Sequence, residues 1–322
     1  RLNPDIRVNN SMTDNNHLSN QDIFAYHYFT IKKNLTLRYG IAQSSQKHVK
    51  GFVFLLHGRA EFIEKYKGIA KRLQKKGLTV VSPDWRGQGL SSRELENRHK
   101  GHINRFDDYV DDLEELFSKL INSQKLPVYI LAHSMGGHIA LRFMERQPLK
   151  IKKAVLVSPM IDITLPAIIK PVLKILSKKL SKTSFAKKYT FGSKDYSFKK
   201  AGFKGNNLCH DPKAYWILHD EIAKNPELAI GGITWGWLNA AFESIKILKQ
   251  DTLIDKITTP ILMINAGKDS IVSTKAQEKL SQKLPHCTFV SIKGAFHELL
   301  FEEPQIKHRL WDAIHRFIDD GS

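Results

Sequence analysis

The spacing of apolar residues changes repeatedly along the chain. Short, fully apolar runs such as Gly51-Phe52-Val53-Phe54-Leu55-Leu56 alternate with longer stretches that are apolar on one helical face only. The short runs read as buried strands and the longer periodic stretches as helices. Strands are predicted near 51–56, 78–82, 127–132, 151–157, 260–265 and 287–292, after an antiparallel hairpin at 23–31 and 34–42. Helices are predicted near 62–76, 104–123, 136–147, 272–283 and 304–318. Strand–helix alternation of this kind implies an α/β fold with a mostly parallel, doubly wound sheet, here of eight strands. Between Ser158-Pro159 and about Leu253 the alternation stops, and apolar, lysine and aromatic residues intermingle without a clear strand. The chain therefore divides into a core of 23–158 and 253–320 and a helical insertion of 159–252, with an Asn-rich polar leader at 1–22 expected to be disordered.

Candidate chemistry falls where the predicted strands end. Pro127-Val128-Tyr129-Ile130-Leu131 runs into Ala132-His133-Ser134-Met135-Gly136-Gly137 and then into the apolar helix pattern of Ile139-Ala140-Leu141. A strand, a small-His-Ser-x-Gly turn and a helix form a nucleophile elbow, in which small neighbours let strand and helix pass closely and lift the serine above the sheet. Ala132 stands where the signature has Gly and still meets the steric requirement. A serine nucleophile of this kind needs an acid and then a histidine, each after a later strand. Asp269 follows the strand ending at Asn265, and His297 follows the strand ending at Ile292, so order and context agree. Asp162, after Val155-Leu156-Val157-Ser158-Pro159, is a competing acid. The loop His57-Gly58-Arg59-Ala60-Glu61 follows another buried strand and is expected to supply the backbone N–H of Arg59 to an oxyanion, with that of Met135 as the second donor.

These segments, together with Asp84-Trp85-Arg86-Gly87-Gln88-Gly89 and Gly294-Ala295-Phe296-His297, resemble the monoacylglycerol lipase and lysophospholipase branch of the α/β-hydrolases. The stretch from Gly101-His102-Ile103 to Asp111-Asp112-Leu113 is most similar to the bacterial membrane-associated lysophospholipases. The resemblance covers roughly residues 23 to 318. It implies the α/β-hydrolase fold with a helical cap and hydrolysis of a lipid acyl ester through Ser134, His297 and Asp269. Ala60 departs from the Gly common at that place in the lipase relatives.

Composition narrows the partners. A chain of 322 residues buries a core without staples, and its two cysteines are too few for a disulfide framework. Cys287 is expected as a small buried residue at a strand start, and Cys209, among polar residues, as exposed. No apolar run is long enough for a transmembrane helix. The leader lacks the apolar segment of a signal peptide, and Met12 is a candidate natural start, which leaves a processed export signal open. The formal charge of +18 favours a polyanionic partner. Eleven lysines and one acidic residue, Asp195, lie between Lys170 and Lys204. Lys170, Lys174 and Lys178 recur at helical spacing beside Ile169, Val172, Leu173, Leu176 and Leu180, the pattern of a basic amphipathic helix on an anionic membrane surface. A solvated lysine face over an ordinary helix is the other reading. No nucleic-acid motif accompanies the charge. The expected location is cytoplasmic, peripheral to the inner face of the membrane. Trp216, Trp235 and Trp237 either pack the cap onto the core or line an acyl-chain channel.

The chemistry expected is acyl transfer to water, with no metal or organic cofactor called for. The fourteen histidines show no zinc spacing. Lysophospholipid is the leading substrate, with monoacylglycerol or a general carboxylic ester next. A peptidase of the proline iminopeptidase kind needs a carboxylate for the substrate amine. The acid-poor cap argues against that, although Asp220 and Glu221 leave it open. A non-catalytic membrane-binding protein on the same fold is the remaining alternative.

Overall fold

The computed structural model describes residues 23–32, 34–121 and 125–319. The leader of 1–22 and Met12 lie outside the described residues, as do the ends of the predicted helix at 104–123 and of the core at 320.

One eight-stranded sheet organises the chain, with strands β1 (Ala25–Lys32), β2 (Leu35–Ala42), β3 (Gly51–Leu56), β4 (Leu78–Pro83), β5 (Val128–His133), β6 (Lys153–Val157), β7 (Ile261–Ala266) and β8 (Cys287–Ile292). Their order is β1-β2-β4-β3-β5-β6-β7-β8. β2 is antiparallel to both neighbours, and every pair from β4 onward is parallel. Each predicted strand is present, with its ends displaced by at most two residues.

The helices that flank the sheet are α1 (Lys67–Lys75), α2 (Asp107–Ile121), α3 (Met135–Arg146), α8 (Thr274–Ser281) and α9 (Pro304–Asp319). β3 shows why its sequence is apolar throughout. Side chains alternate across a strand, so a strand covered on both faces needs apolar residues at every position. Phe52, Phe54 and Leu56 enter the core shared with α2 and α3, whereas Val53 and Leu55 enter the core under α1 and α9.

Between β6 and β7 the chain leaves the sheet through α4 (Ile169–Leu180), α5 (Pro212–Lys224), α6 (Trp235–Leu248) and the short α7 (Asp251–Ile254). α5 starts at Asp211, whose carboxylate accepts the N–H groups of Lys213 and Ala214, with Pro212 at the first helical position. α6 starts at Thr234, whose hydroxyl accepts the Trp237 N–H. Trp237, Ala240, Ala241 and Leu248 of α6 join the core on the α2–α3 side of the sheet. Leu173, Leu176 and Leu180 of α4 pack on Trp235, Leu238 and Phe242 of α6.

Both cysteines differ from expectation. Cys209 is fully buried, because the segment before α5 folds against the loop after β8: the Leu208 carbonyl accepts the Glu298 N–H, and Glu302 accepts the His210 N–H. Burial pushes the Cys209 thiol up to about 12. Cys287, on the edge strand β8, is only half-buried. Among the described residues, no helix is long and apolar enough to cross a membrane.

Candidate active site

β5 ends at His133 and α3 begins at Met135, so Ser134 alone makes the turn. It does so at φ 51° and ψ −116°, a backbone region that L-residues rarely occupy. The small residues that follow are required by contact. A Cβ on Gly136 would stand 2.4 Å from the Leu56 carbonyl oxygen, and one on Gly137 would stand 2.7 Å from the Pro159 side chain. Ala132 is fully buried and paired between Leu56 and Leu156, so its methyl fits.

Around this turn the structure brings together Ser134, His297 and Asp269. His297 Nε2 lies 2.9 Å from Ser134 Oγ, and His297 Nδ1 lies 2.7 Å from Asp269 Oδ2. The other carboxylate oxygen, Asp269 Oδ1, accepts the N–H groups of Ile271 and Val272 at 2.9 and 3.0 Å. With one oxygen fixed by backbone donors, the other is held toward the imidazole. Asp162 is engaged elsewhere: Lys170 and Lys249 both reach its carboxylate at 2.7 Å. Burial raises its proton affinity, but the two lysines outweigh that and leave it below the ordinary aspartate value.

The loop after β3 lies beside Ser134. The Gly58 N–H donates to Glu61 Oε2 at 2.5 Å, and the Ala60 N–H donates to Gln88 Oε1 at 2.6 Å. Among the described residues, the N–H groups of Arg59 and Met135 have no acceptor. Ala60 takes a left-handed φ of 59°, which is the physical reason glycine suits this place. The Asp84–Gly89 loop braces the assembly: Trp85 Nε1 donates to the His57 carbonyl at 2.8 Å, and the Asp84 carboxylate meets Arg38 Nε at 2.8 Å.

Behind the serine lies a buried charge network. Besides Gly58, the Glu61 carboxylate accepts from Lys65 Nζ at 2.6 Å, Tyr66 OH at 2.9 Å and His133 Nδ1 at 3.0 Å. Lys65 also meets Glu298 at 2.8 Å, and His133 Nε2 faces the His297 carbonyl at 3.3 Å. A carboxylate and a carbonyl only accept, so this pair of neighbours favours the imidazolium, which donates from both ring nitrogens. Burial opposes that charge, yet Glu61 outweighs burial and raises the His133 pKa above its ordinary value. Burial likewise disfavours the Glu61 carboxylate, but Lys65 and His133 hold it well below the usual range.

Ser134, Met135 and Arg59 open onto a cavity of about 490 Å³ under the insertion. Its wall is apolar over Met160, Leu165, Leu173, Trp237, Leu238 and Val272. Ile169, Phe191 and Ile271 also line it while remaining exposed, with Phe191 80 % accessible.

A family profile described as "Serine aminopeptidase, S33" matches residues 47–304. The chain belongs to this family. The α/β-hydrolase is 31% identical over 297 residues to a protein named "Probable lysophospholipase L2" from Haemophilus influenzae, covering 92% of each chain. It is 29% identical over 281 residues to lysophospholipase L2 of Escherichia coli strain K12, covering 85% of this chain and 81% of that one. Its fold matches that of a soluble variant of monoglyceride lipase from Saccharomyces cerevisiae, solved in complex with a substrate analogue. The TM-score is 0.74 at 17% identity, over 93% of this chain and 96% of that one.

The predicted lysines of this hydrolase separate. Lys170 is tied to Asp162 and donates to the Ile163 carbonyl. Lys178 is exposed, and exposed Lys174 lies over the Phe242 ring at 5.6 Å. The apolar face expected to meet a membrane also divides. Leu173, Leu176 and Leu180 are committed to α6, whereas Ile168, Val172 and Ile175 form an exposed ridge. At 3.6 residues per turn the two stripes lie about 100° apart, so one helix carries two apolar faces that a single-stripe reading merges. Trp235 packs between α4 and α6, and Trp237 lines the cavity. Trp216 meets Tyr215 and His219 edge-on and Phe198 at a tilt. The sequence reading missed the roles of Glu61, Lys65, His133 and Glu298. Their signal was present: Glu61 and Lys65 are four residues apart at a helix start, and His133 and Glu298 each adjoin a proposed catalytic residue.

Proposed function

We propose that the protein is a serine esterase that hydrolyses single-chain lipid esters, lysophospholipids foremost. The observation that carries this reading is the Ser134–His297–Asp269 relay opening onto a largely apolar cavity of about 490 Å³. Cavities of this size and lining suit an acyl chain. In the reaction, Ser134 Oγ attacks the ester carbonyl while its proton passes to His297 Nε2. Asp269 orients the imidazole and stabilises the imidazolium. The unclaimed N–H groups of Arg59 and Met135 hold the oxyanion. The imidazolium then protonates the departing glycerol oxygen. Water, deprotonated by His297, cleaves the acyl-enzyme to release the fatty acid and regenerate Ser134.

The names of the relatives at 31% and 29% identity support lysophospholipid over other esters. Monoacylglycerol is the second reading, favoured by a relative named monoglyceride lipase from Homo sapiens at 24% identity. An aminopeptidase needs an acidic partner for the substrate amine, and among the described residues none that lines the cavity is acidic. Residues 159–252 act as the cap in this reading. The ridge of Ile168, Val172 and Ile175, with Lys174 and Lys178 beside it, seats the cavity mouth on an anionic lipid surface, and the hydrolase is a peripheral membrane protein.

A substrate panel tests the reading: lysophosphatidylethanolamine, monoolein and an amino-acid amide, with wild type and Ser134→Ala. Turnover of lysophosphatidylethanolamine, abolished in the folded variant, is expected. Turnover of the amide alone, or substantial turnover by the variant, overturns it.

A further inference from the structure

Buried cations in this protein come with counter-ions. Arg38 meets Glu64 and Asp84, Arg86 meets Asp112, Arg142 meets Asp107, and Lys65 meets Glu61 and Glu298. Arg59 does not follow this pattern. Its guanidinium donates through Nη1 to the Gly231 carbonyl at 2.9 Å and forms no ion pair among the described residues. Arg93 and Arg98 also lack an ion pair, but backbone carbonyls accept from both and neither lines the cavity. Arg59 is the one charged residue among the described residues that line the cavity holding Ser134.

Arg59 is partly buried, and an unpaired charge with restricted access to water is costly, while a guanidinium stays protonated at any physiological pH. Burial pushes the Arg59 pKa down and outweighs the opposing influence of Tyr109 and Glu61. The cost is relieved when an anion enters beside it. Arg offers five N–H donors in a fork that matches the oxygens of a phosphate, and one of them is used here. Gly232, Ser193 and Thr190 line the same cavity; Arg59 Nη1 is bonded to the carbonyl of Gly231, Ser193 packs on Gly232, and the Thr190 and Ser193 hydroxyls lie 2.8 Å apart. A lysophospholipid carries ester and phosphate on one glycerol, so both groups must be met within one cavity.

We propose that the Arg59 guanidinium binds the substrate's phosphate and makes the site selective for phosphate-bearing single-chain lipids over neutral glycerides. This inference rests on the lipid-ester reading above. Arg59 then touches two parts of one substrate: its backbone N–H meets the ester oxyanion and its side chain meets the headgroup.

The test compares kcat/KM for 1-oleoyl lysophosphatidylglycerol and for monoolein in wild type, Arg59→Gln and Arg59→Lys. Loss of the guanidinium should lower the phospholipid-to-glyceride ratio about ten- to hundredfold, the range for a lost charge-assisted hydrogen bond, mainly through KM. Lysine should restore part of it. An equal fall on both lipids means that Arg59 acts only by shaping its loop, and it overturns the proposal. A parallel arm reads inhibition of p-nitrophenyl butyrate hydrolysis by glycerol 3-phosphate and by inorganic phosphate. Competitive inhibition by glycerol 3-phosphate that weakens at least tenfold in Arg59→Gln supports the subsite even if wild type cleaves neither lipid, in which case only the substrate reading fails. Absence of that inhibition in wild type, or equal inhibition by inorganic phosphate, overturns the headgroup assignment.

Discussion

Glu61→Gln is the most revealing single substitution outside the proposed triad. The side chain keeps its size, but one of its oxygens becomes an NH₂ and the negative charge disappears. Four donors converge on the native carboxylate: the Gly58 N–H, Lys65 Nζ, Tyr66 OH and His133 Nδ1, at 2.5 to 3.0 Å. In the native network two cations, Lys65 and His133, face two anions, Glu61 and Glu298. The variant leaves a net buried positive charge, and breaking a buried pair in this way costs about 3–5 kcal/mol. At roughly 2 °C per kcal/mol for a chain of this size, the melting temperature should fall by about 6–10 °C. Activity should fall separately, because Gly58 and the oxyanion loop lose their anchor, and a lost oxyanion donor costs about 10²–10³ in kcat. The assay pairs thermal unfolding with p-nitrophenyl butyrate turnover well below the transition. Adding Lys65→Met should recover part of the stability, since the double variant pairs His133 with Glu298 in charge. A Glu61→Gln protein within about 1 kcal/mol of wild type and with undiminished kcat would refute the reasoning.

Three further outcomes follow from the same geometry. Asp269→Asn should lower ester turnover by about 10⁴-fold, whereas Asp162→Asn should leave turnover near wild type and loosen α4, read as a lower melting temperature; the reverse result makes Asp162 the acid. His133 has a folded-state pKa raised above its ordinary 6.5, so its stabilisation is fully present below pH 6.5 and is lost as pH rises through the folded value. Thermal stability should therefore decline on the alkaline side and flatten in His133→Gln, and a pH profile unchanged by the substitution contradicts the imidazolium. Replacing Ile168, Val172 and Ile175 by Ser should reduce co-sedimentation with anionic vesicles at all salt concentrations, whereas Lys174→Gln with Lys178→Gln should remove a component already weak at high salt; unchanged binding in both returns α4 to an ordinary surface helix.

The sheet was legible because both cores demand apolar residues at most positions of the inner strands, and such runs are conspicuous. The elbow was legible because a Cβ on Gly136 would meet the backbone oxygens of Leu56 and His57 and one on Gly137 would meet Pro159. The insertion was less so. Whether Leu173 or Val172 faces out depends on where α6 lies, and α6 is placed by contacts more than 50 residues away in sequence. The paired charges behind the serine were hidden for the same reason. Glu61, His133 and Glu298 are distant in sequence and meet because the parallel strands β3, β5 and β8 all point their carboxyl ends to the same end of the sheet.

The left-handed turn at Ser134 has an evolutionary and engineering corollary. A non-glycine residue held there costs about 1–3 kcal/mol, a cost that alanine shares and glycine escapes. Among substitutions at this position, the one expected to melt highest is therefore Ser134→Gly, which lacks the proposed nucleophile. A library screened for thermostability alone would enrich that dead variant and discard the live enzyme. Any stabilisation campaign on this scaffold needs a turnover readout in the same round of selection.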